Sequence, residues 1–212
     1  MTPRPAGLDY ARWSGLWSRL GAQGDGSTTF NRLTAAYADP SRAYHNAAHV
    51  EHCLTELDRS RPLAHRPDEV EAALWFHDAV YDSRRSDNER RSAQLAETSL
   101  ASAGVSSEAA RRVAALILAT SHRALETEFD AQLVCDVDLA ILASSPLELD
   151  QFERAIRQEY RWVPDVLYRR SRSAVLRGFL LRPSIYQTRD FRIRYEDRAR
   201  QNLEGLLAVL AR

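Results

Sequence analysis

The chain has 212 residues and a mass of 24.0 kDa, with 29 basic and 29 acidic side chains. This length favours one domain. The formal net charge is zero, which argues against a dedicated nucleic-acid or membrane-surface binder, because such a protein usually carries a net positive charge. Apart from the histidines, every basic side chain is an arginine. The absence of lysine excludes a Schiff-base lysine, a lysine general base and a P-loop lysine.

The two cysteines and the hydropathy of the chain predict its cellular compartment. Cys53 and Cys135 lie far apart in apolar or mixed segments, which predicts two buried free thiols rather than a disulfide. Reduced thiols are typical of the cytoplasm. The first residues contain no apolar stretch of a secretory signal, and no apolar run approaches the roughly 18 residues of a membrane span. We therefore expect a cytoplasmic protein without a membrane segment.

Apolar residues recur with a helical period along most of the chain. In chain order, the stripes are Trp13, Leu16, Trp17 and Leu20; Phe30, Leu33 and Tyr37; Val70, Leu74 and His77; Val113, Leu116, Ile117 and Thr120; Val134, Val137 and Ile141; Phe152, Ile156 and Tyr160; Leu176 and Phe179; and Leu203, Leu206, Leu207 and Leu210. No segment of convincing length alternates as a half-buried strand does. The sequence predicts an all-α fold of about eight to ten helices.

Residues that favour helix ends separate these stripes. The expected N-caps are Ser27 or Thr28, Ser86 or Asp87, and Ser106, with Asp68, Glu69, Pro146 and Pro164 in first turns and Gly104 after a last turn. The least regular stretches are 21–26, 61–67, 81–86, 122–130 and 182–194.

The segment 44–49, YHNAAH, places two histidines four residues apart. On a helix, His45 and His49 would lie one turn apart on one face, with His52 extending the stripe. A single buried histidine is usually a core residue, whereas two at this spacing more often form a site. This segment alone leaves both interpretations open.

The segment 75–82, WFHDAVYD, joins a histidine to a carboxylate. His77 continues the apolar stripe of Val70 and Leu74. Asp78 stands in an apolar run, where a buried carboxylate requires a cation or several hydrogen-bond donors. In the alternative interpretation, His77 is a core residue and Asp78 ends the helix at the surface.

Two further polar groups follow. In the segment 135–139, CDVDL, Asp138 shares a helical face with Val134 and Ile141 and is expected to point to the core, whereas Asp136 points elsewhere. A helix end or an arginine could satisfy Asp138 instead of a cation. His122 ends a helix and is either a site residue or a surface residue.

Taken together, these histidines and inward carboxylates form a mixed nitrogen and oxygen ligand set on separate helices. Such a set suits Mn²⁺, Fe²⁺, Co²⁺, Ni²⁺ or Zn²⁺, and it is less typical of Mg²⁺ or Ca²⁺ alone. Helical domains commonly build metal sites from facing helices.

The ordered set His49…His77-Asp78…Asp138 resembles the H…HD…D signature of the HD superfamily of metal-dependent phosphohydrolases. The resemblance covers about residues 44–142. Segment 44–49 also resembles the Y-H-N-x-x-H segment of cyclic-nucleotide phosphodiesterases, although the longer pattern of those enzymes after the HD pair is missing. The resemblance implies a single HD-type domain over 1–212, with a metal-site core at about 44–142 and C-terminal helices at 146–212 packed on it.

The resemblance also implies a metal site. The positions that match the family's ligands are His49, His77, Asp78 and Asp138. Asp136 is the alternative to the last of these. His122 falls where some family members place histidines for a second metal, but only one such histidine is present. We therefore expect one ion rather than two, with Mg²⁺ also compatible.

Two residues are candidates for catalytic roles. His45 matches the histidine that protonates the leaving oxygen in the phosphodiesterases. Asp78 is a candidate to orient or deprotonate the attacking water, in addition to binding metal. The implied reaction is hydrolysis of a phosphate ester or phosphoanhydride, with a nucleotide or a related small molecule as substrate.

Arginines must meet the phosphate charge, because the chain has no lysine. The candidate substrate contacts are His122, Arg84, Arg85 and Arg157, with Arg172 and Arg182 on or near later helices. Each of these arginines, taken alone, is more typical of a solvated helix face.

Other function classes remain open at this point. A metal-retaining protein could bind a nucleotide as a sensor without turning it over. A di-iron redox enzyme would need two irons and further ligands. A structural helical protein with core histidines would carry no metal. Trp13 and Trp17 could belong to a homodimer interface, although core packing is the commoner role.

Overall fold

The computed structural model describes residues 7–211 and contains ten α-helices. They are α1 (Tyr10–Arg19), α2 (Ser27–Tyr37), α3 (Ala47–Ser60), α4 (Pro67–Phe76), α5 (Asn88–Ser102), α6 (Ser107–Ala119), α7 (Phe129–Asp138), α8 (Pro146–Glu159), α9 (Asp165–Leu180) and α10 (Arg189–Leu210). Short 3₁₀ turns, Arg61–Leu63 and Leu139–Ala143, follow α3 and α7. No strand occurs between residues 7 and 211, so the all-α prediction is confirmed. Residues 1–6, which begin the segment expected to carry no secretory signal, lie outside this range.

Helix α4 lies among α1, α3, α5, α6 and α7. Its residues 69–76 are all buried, because the segment is apolar on almost every side. Glu71 is the main exception, with only 1% of its surface exposed. Its charge is balanced by ion pairs with three arginines, namely Arg12, Arg19 and Arg61. The helix ends just before His77, which is buried, and Asp78, whose side chain is partly exposed.

Helix α3 begins later than the sequence predicts. Asn46 is its N-cap, and the Asn46 side-chain oxygen accepts a hydrogen bond from the Ala48 backbone N–H at 2.9 Å. An asparagine in this position satisfies a backbone group that a helix start leaves free. The prediction that His45 and His49 share a helical face is therefore wrong, because His45 precedes the helix. Their rings still lie close, with centroids 6.0 Å apart.

The start of α2 also differs from expectation. Its N-cap is Gly26, at φ 70°, rather than Ser27 or Thr28. A Cβ on Gly26 would lie 2.8 Å from atoms of both Trp13 and Trp17. The packing of these two tryptophans therefore requires glycine at this turn.

Other helix ends agree with the sequence in most respects. Ser106 caps α6 by accepting a hydrogen bond from a backbone N–H, and Gly104 follows α5 at φ 82°. Asp87, rather than Ser86, is the N-cap residue of α5. Pro146 begins α8, whereas Pro164 takes the N-cap position one residue before α9.

Three expectations about apolar segments can be compared with the structure. Cys53 and Cys135 are buried and unpaired, as predicted. Trp13 and Trp17 are 0% and 3% exposed, so they are core residues rather than a free surface for a partner. No helix between residues 7 and 211 is both long and apolar enough to cross a membrane.

Candidate metal centre

Four side chains from three parts of the chain meet in the interior. His49 lies on α3, His77 and Asp78 follow α4, and Asp138 is the last residue of α7. His49 Nε2 lies 2.9 Å from His77 Nε2, 3.2 Å from Asp138 Oδ1 and 3.5 Å from Asp78 Oδ2. His77 Nε2 lies 3.0 Å from Asp78 Oδ2 and 3.6 Å from Asp138 Oδ1. The structure thus brings together the four residues to which the resemblance assigns metal binding.

These separations suit atoms that share one ion. Nitrogen and oxygen ligands at about 2.0–2.2 Å from a common metal lie about 3.0–3.5 Å from one another. Two imidazole nitrogens 2.9 Å apart, those of His49 and His77, need a proton or a cation between them, because facing lone pairs repel. His49, His77 and Asp138, together with Cys53, could therefore hold one metal ion, and Asp78 Oδ2 lies beside them, 3.0 Å from His77 Nε2. These donors suit a divalent transition metal.

Cys53 adds a sulfur atom to this group. It follows His49 by one turn of α3, and its Sγ lies 3.8 Å from both ring nitrogens of His49. The donor atoms of His49, Cys53, His77 and Asp138 all lie within 4.8 Å of one another. Burial raises the pKa of the Cys53 thiol well above its ordinary value, and the nearby carboxylates raise it further. A thiolate at this position would therefore need the charge of a bound cation.

The His77 ring is oriented by the end of its own helix. Its Nδ1 lies 2.9 Å from the Leu74 carbonyl oxygen, which can only accept, so Nδ1 carries a proton and Nε2 faces the cluster. Burial alone would lower the pKa of His77, but Asp78 and Asp138 raise it well above its ordinary value. Burial alone would raise the pKa of Asp78, but His77 and other histidines hold it below its ordinary value. Each of the two groups thus stabilises the charged form of the other, the imidazolium of His77 and the carboxylate of Asp78.

His45 is held by the carboxylate of Glu159, which no sequence pattern connects to it. Glu159, the last residue of α8, places Oε2 at 2.6 Å from His45 Nδ1. Its Oε1 accepts hydrogen bonds from the backbone N–H groups of Tyr44 and His45 at 2.7 and 3.0 Å. The Tyr81 hydroxyl donates to Oε2 at 2.9 Å, and the Tyr81 ring stacks on His45. Burial alone would lower the pKa of His45, but nearby carboxylates, first among them Asp78, raise it.

His122 lies beside the cluster and not on an open surface. Its Nε2 is 2.9 Å from Asp138 Oδ2, and its carbonyl oxygen accepts a hydrogen bond from Arg182 at 2.6 Å. Among residues 7–211 it alone, apart from glycines, has a positive φ, at 53°. This conformation costs an L-residue about 1–2 kcal/mol and persists where surrounding contacts fix it. The turn after α6 therefore holds the ring against Asp138.

The two acids of the segment 135–139 have different partners. Asp136 is fully buried and accepts hydrogen bonds at 2.7 Å from the backbone N–H groups of Gln187 and Thr188 and from the Thr188 hydroxyl. Its carboxylate is thus engaged at the start of α10. Asp138, in contrast, lies within 3.6 Å of ring nitrogens of three histidines. The structure brings Asp138, and not Asp136, to the cluster.

Two hollows are lined by Asp138 of the cluster, and a third is lined by His49. The first, the polar hollow, has a volume of about 230 Å³ and is lined by His45, His77, Asp78, Tyr81, Arg85, Asn88, Glu89, Thr120, His122, Asp138 and Tyr160. The second, the apolar cavity, has a volume of about 470 Å³ and continues along α8 and α9. Both are lined by His45, His122 and Asp138, so the two spaces adjoin at these side chains. The side chains of Asp78 and Asp138 are 15% and 16% exposed, which leaves them accessible.

The predicted phosphate-binding arginines are not gathered at the cluster. Arg85 lines the polar hollow, but its guanidinium pairs with Asp87 at 2.7 Å. Arg84 lies over the ring of a half-exposed tryptophan. Arg157 donates to two carbonyl oxygens of the turn 160–163 and lines neither hollow, so the structure does not bring it to the site. Of the arginines named as candidate contacts, Arg85 lines the polar hollow and Arg172 lines the apolar cavity.

The chain was compared with protein-family models, curated proteins and solved structures, and no match was found. The relationship to the HD superfamily therefore stays a prediction that rests on the residues described above.

Two residues at the site escape prediction from the sequence. Glu159 is 114 positions from His45, so no local spacing joins them. Cys53 follows His49 at i+4, and this spacing is a signal that could have found it. The apolar character of the surrounding helix instead makes Cys53 resemble an ordinary core thiol.

Proposed function

We propose that this protein is a metal-dependent phosphohydrolase of the HD superfamily. It would cleave a phosphate ester or phosphoanhydride of a nucleotide or a related small molecule. The observation that carries the proposal is the convergence of two imidazoles and two carboxylates, with contacts of 2.9–3.6 Å, beside a separately held histidine. The order of these residues in the chain, which resembles the HD signature, supports the same conclusion.

The cluster supplies the site for the cation. The residues that would hold it are His49, His77, Asp78 and Asp138, with the Cys53 sulfur as a further donor within reach. When bound, a divalent cation supplies positive charge that polarises a phosphate oxygen and acidifies water. Mn²⁺, Fe²⁺, Co²⁺, Ni²⁺ and Zn²⁺ fit the donor set, and Mg²⁺ is compatible.

Hydrolysis consumes one water molecule. The water oxygen forms a bond to phosphorus while the bond between phosphorus and the leaving oxygen breaks. Asp78 orients the water and accepts its proton, and His45 gives a proton to the leaving oxygen. The products are a phosphate and the released alcohol, or a second phosphate when the substrate is an anhydride.

Glu159 acts in this scheme as a positioning residue. It accepts a hydrogen bond from His45 Nδ1, so the proton that His45 transfers is the one on Nε2. The three other donors on the Glu159 carboxylate fix its position in turn. The imidazole is therefore held in one orientation without being a ligand of the cluster.

A phosphate-release screen on the full chain tests the proposal. The substrates are nucleoside mono-, di- and triphosphates and p-nitrophenyl phosphate, each with Mn²⁺, Co²⁺, Ni²⁺ or Mg²⁺. We expect release from at least one combination, and none from a His77→Ala variant purified in the same way. Equal release from both proteins would indicate a contaminating phosphatase and contradict the proposal. Stoichiometric binding of metal and nucleotide without release would replace hydrolysis by a sensor function.

A further inference from the structure

The apolar cavity is larger and less polar than a phosphate group requires. Beyond the cluster its walls include the rings of Tyr44, Phe152, Tyr168 and Phe179 and the side chains of Ile156 and Leu176. Its volume of about 470 Å³ falls in the usual range of small-molecule sites, roughly 300–1,000 Å³. The space therefore suits the carbon skeleton of a ligand whose phosphate lies at the metal cluster.

The charges around this cavity also favour an apolar ligand group. Of its lining residues in the described part of the chain, Arg172 is the single arginine. Arg172 is already paired with Glu153 through two guanidinium nitrogens, and it lies 5.3 Å over the Phe152 ring. A di- or triphosphate placed here would lose its water without gaining a free cation. The cavity therefore disfavours additional phosphates and favours an apolar group.

We propose that the substrate is a phosphomonoester of a mainly apolar alcohol or phenol rather than a nucleotide, an inference that rests on the proposed hydrolysis of a phosphate ester. Its phosphate would lie at the cluster and its carbon skeleton in the apolar cavity. His45 lines both spaces, which places the proton donor at the junction where the ester oxygen would lie. The aromatic walls offer stacked and edge-to-face contacts to a flat skeleton.

Binding of unreactive phosphonates tests the ligand class without turnover. The Mn²⁺-loaded full chain is titrated calorimetrically with 2-naphthylmethylphosphonate and with methylphosphonate, which share the phosphonate group. We expect the naphthyl compound to bind at least about tenfold more tightly, because burial of its rings adds to the phosphonate contact. Equal affinities would overturn the inference.

Two variants of α9 locate the binding space. Val175 lines the cavity and is 50% exposed, so Val175→Arg places a charge at the opening without disturbing the core. We expect about a tenfold loss of affinity for the naphthyl compound and no loss for methylphosphonate. The matched control is Val166→Arg, at a position on the same helix that is 78% exposed and outside the cavity. An equal effect of both variants on the naphthyl compound would overturn the assignment of this cavity.

Turnover then separates the two proposals. Release of phosphate from 2-naphthyl phosphate, with much slower release from nucleoside triphosphates, supports both. Hydrolysis at rates that do not depend on the apolar group overturns the ligand class and leaves the hydrolase. Selective binding of the naphthyl phosphonate without hydrolysis of any ester leaves the ligand class and overturns the hydrolase.

Discussion

The Glu159 carboxylate, at the end of α8, lies 2.6 Å from the Nδ1 atom of His45, which precedes α3. This contact joins two parts of the chain that are 114 residues apart. It places an imidazole, oriented by a carboxylate, next to the group of side chains that could hold a metal ion, of which His45 is not a member. The proposed roles, proton donation by His45 and metal binding by the cluster, can be tested separately.

Replacement of His45 by alanine should lower turnover and leave the metal in place. We expect a loss of about 10²–10⁴-fold for an alkyl phosphate, whose leaving oxygen needs a proton. The loss should be much smaller for p-nitrophenyl phosphate, whose leaving group departs as an anion. Steady-state rates with both substrates, and metal analysis of both proteins, provide the measurement. An unchanged rate with the alkyl phosphate would remove His45 as the acid.

Glu159→Gln should reproduce part of this effect, because the amide keeps the shape of the side chain but orients His45 less well. We expect kcat for the alkyl phosphate to fall about tenfold to a hundredfold, as for other residues that orient a functional imidazole. KM and metal content should stay close to their wild-type values. A rise in KM with an unchanged kcat would instead assign Glu159 to substrate binding.

The same variant should reveal a pH dependence of stability. Burial alone would raise the pKa of Glu159, but hydrogen bonds from His45 and two backbone N–H groups hold it below its ordinary value of 4.5. As pH falls, Glu159 therefore takes up a proton at higher pH in the unfolded chain than in the folded chain. The ionised carboxylate contributes its full stabilisation above about pH 4.5, and this stabilisation is lost as pH falls through the pKa of Glu159 in the folded chain. Urea unfolding of both metal-free proteins between pH 6 and pH 3 measures this. The wild type should lose more stability than Glu159→Gln, and parallel curves would contradict the assignment.

Replacement of Asp136 should lower stability, whereas replacement of Asp138 should remove the metal. Asp136→Ala leaves three hydrogen-bond donors at the start of α10 without a partner, and we expect it to lower the free energy of unfolding by about 2–4 kcal/mol. Its metal content should remain that of the wild type when the protein is folded. Asp138→Ala should lose the metal instead. Metal loss in folded Asp136→Ala with full retention in Asp138→Ala would reverse the two roles.

Much of the fold follows from local pattern in the sequence. The apolar stripes mark the helices because each helix buries one face, and Ser106 and Gly104 fix ends that depend only on neighbouring backbone groups. The four candidate metal-ligand positions, namely His49, His77, Asp78 and Asp138, are also recognisable, since their order in the chain resembles a known signature. Three of them stand at helix ends, since His77 and Asp78 follow α4 and Asp138 is the last residue of α7.

The features that escape prediction depend on the fold as a whole. Glu159 is one of several acids on an amphipathic helix, and only the packing of α8 against the start of α3 distinguishes it. His45 was expected inside a helix because its spacing to His49 is helical, but the Asn46 cap ends that pattern. Arg157 was expected near phosphate, but its donors are used by nearby carbonyl oxygens. Sequence spacing carries no information on these competing partners.

Removal of a ligand should abolish metal retention. We expect His77→Ala to fall from about one metal per chain to a small fraction of that after dialysis, because the remaining donors no longer enclose the ion. The matched control is His65→Ala, since the His65 ring packs on Phe129 and belongs to neither hollow. Elemental analysis of the three proteins gives the result. Equal loss in both variants would show that the histidine at 77 has no special role.

The most direct measurement is the anomalous scattering of crystals of the full chain grown with Mn²⁺. We expect one strong peak per chain at about 2.0–2.3 Å from His49 Nε2, His77 Nε2 and carboxylate oxygens of Asp78 and Asp138. A peak bound only elsewhere on the chain, or no peak at saturating Mn²⁺, would contradict a metal centre at this cluster.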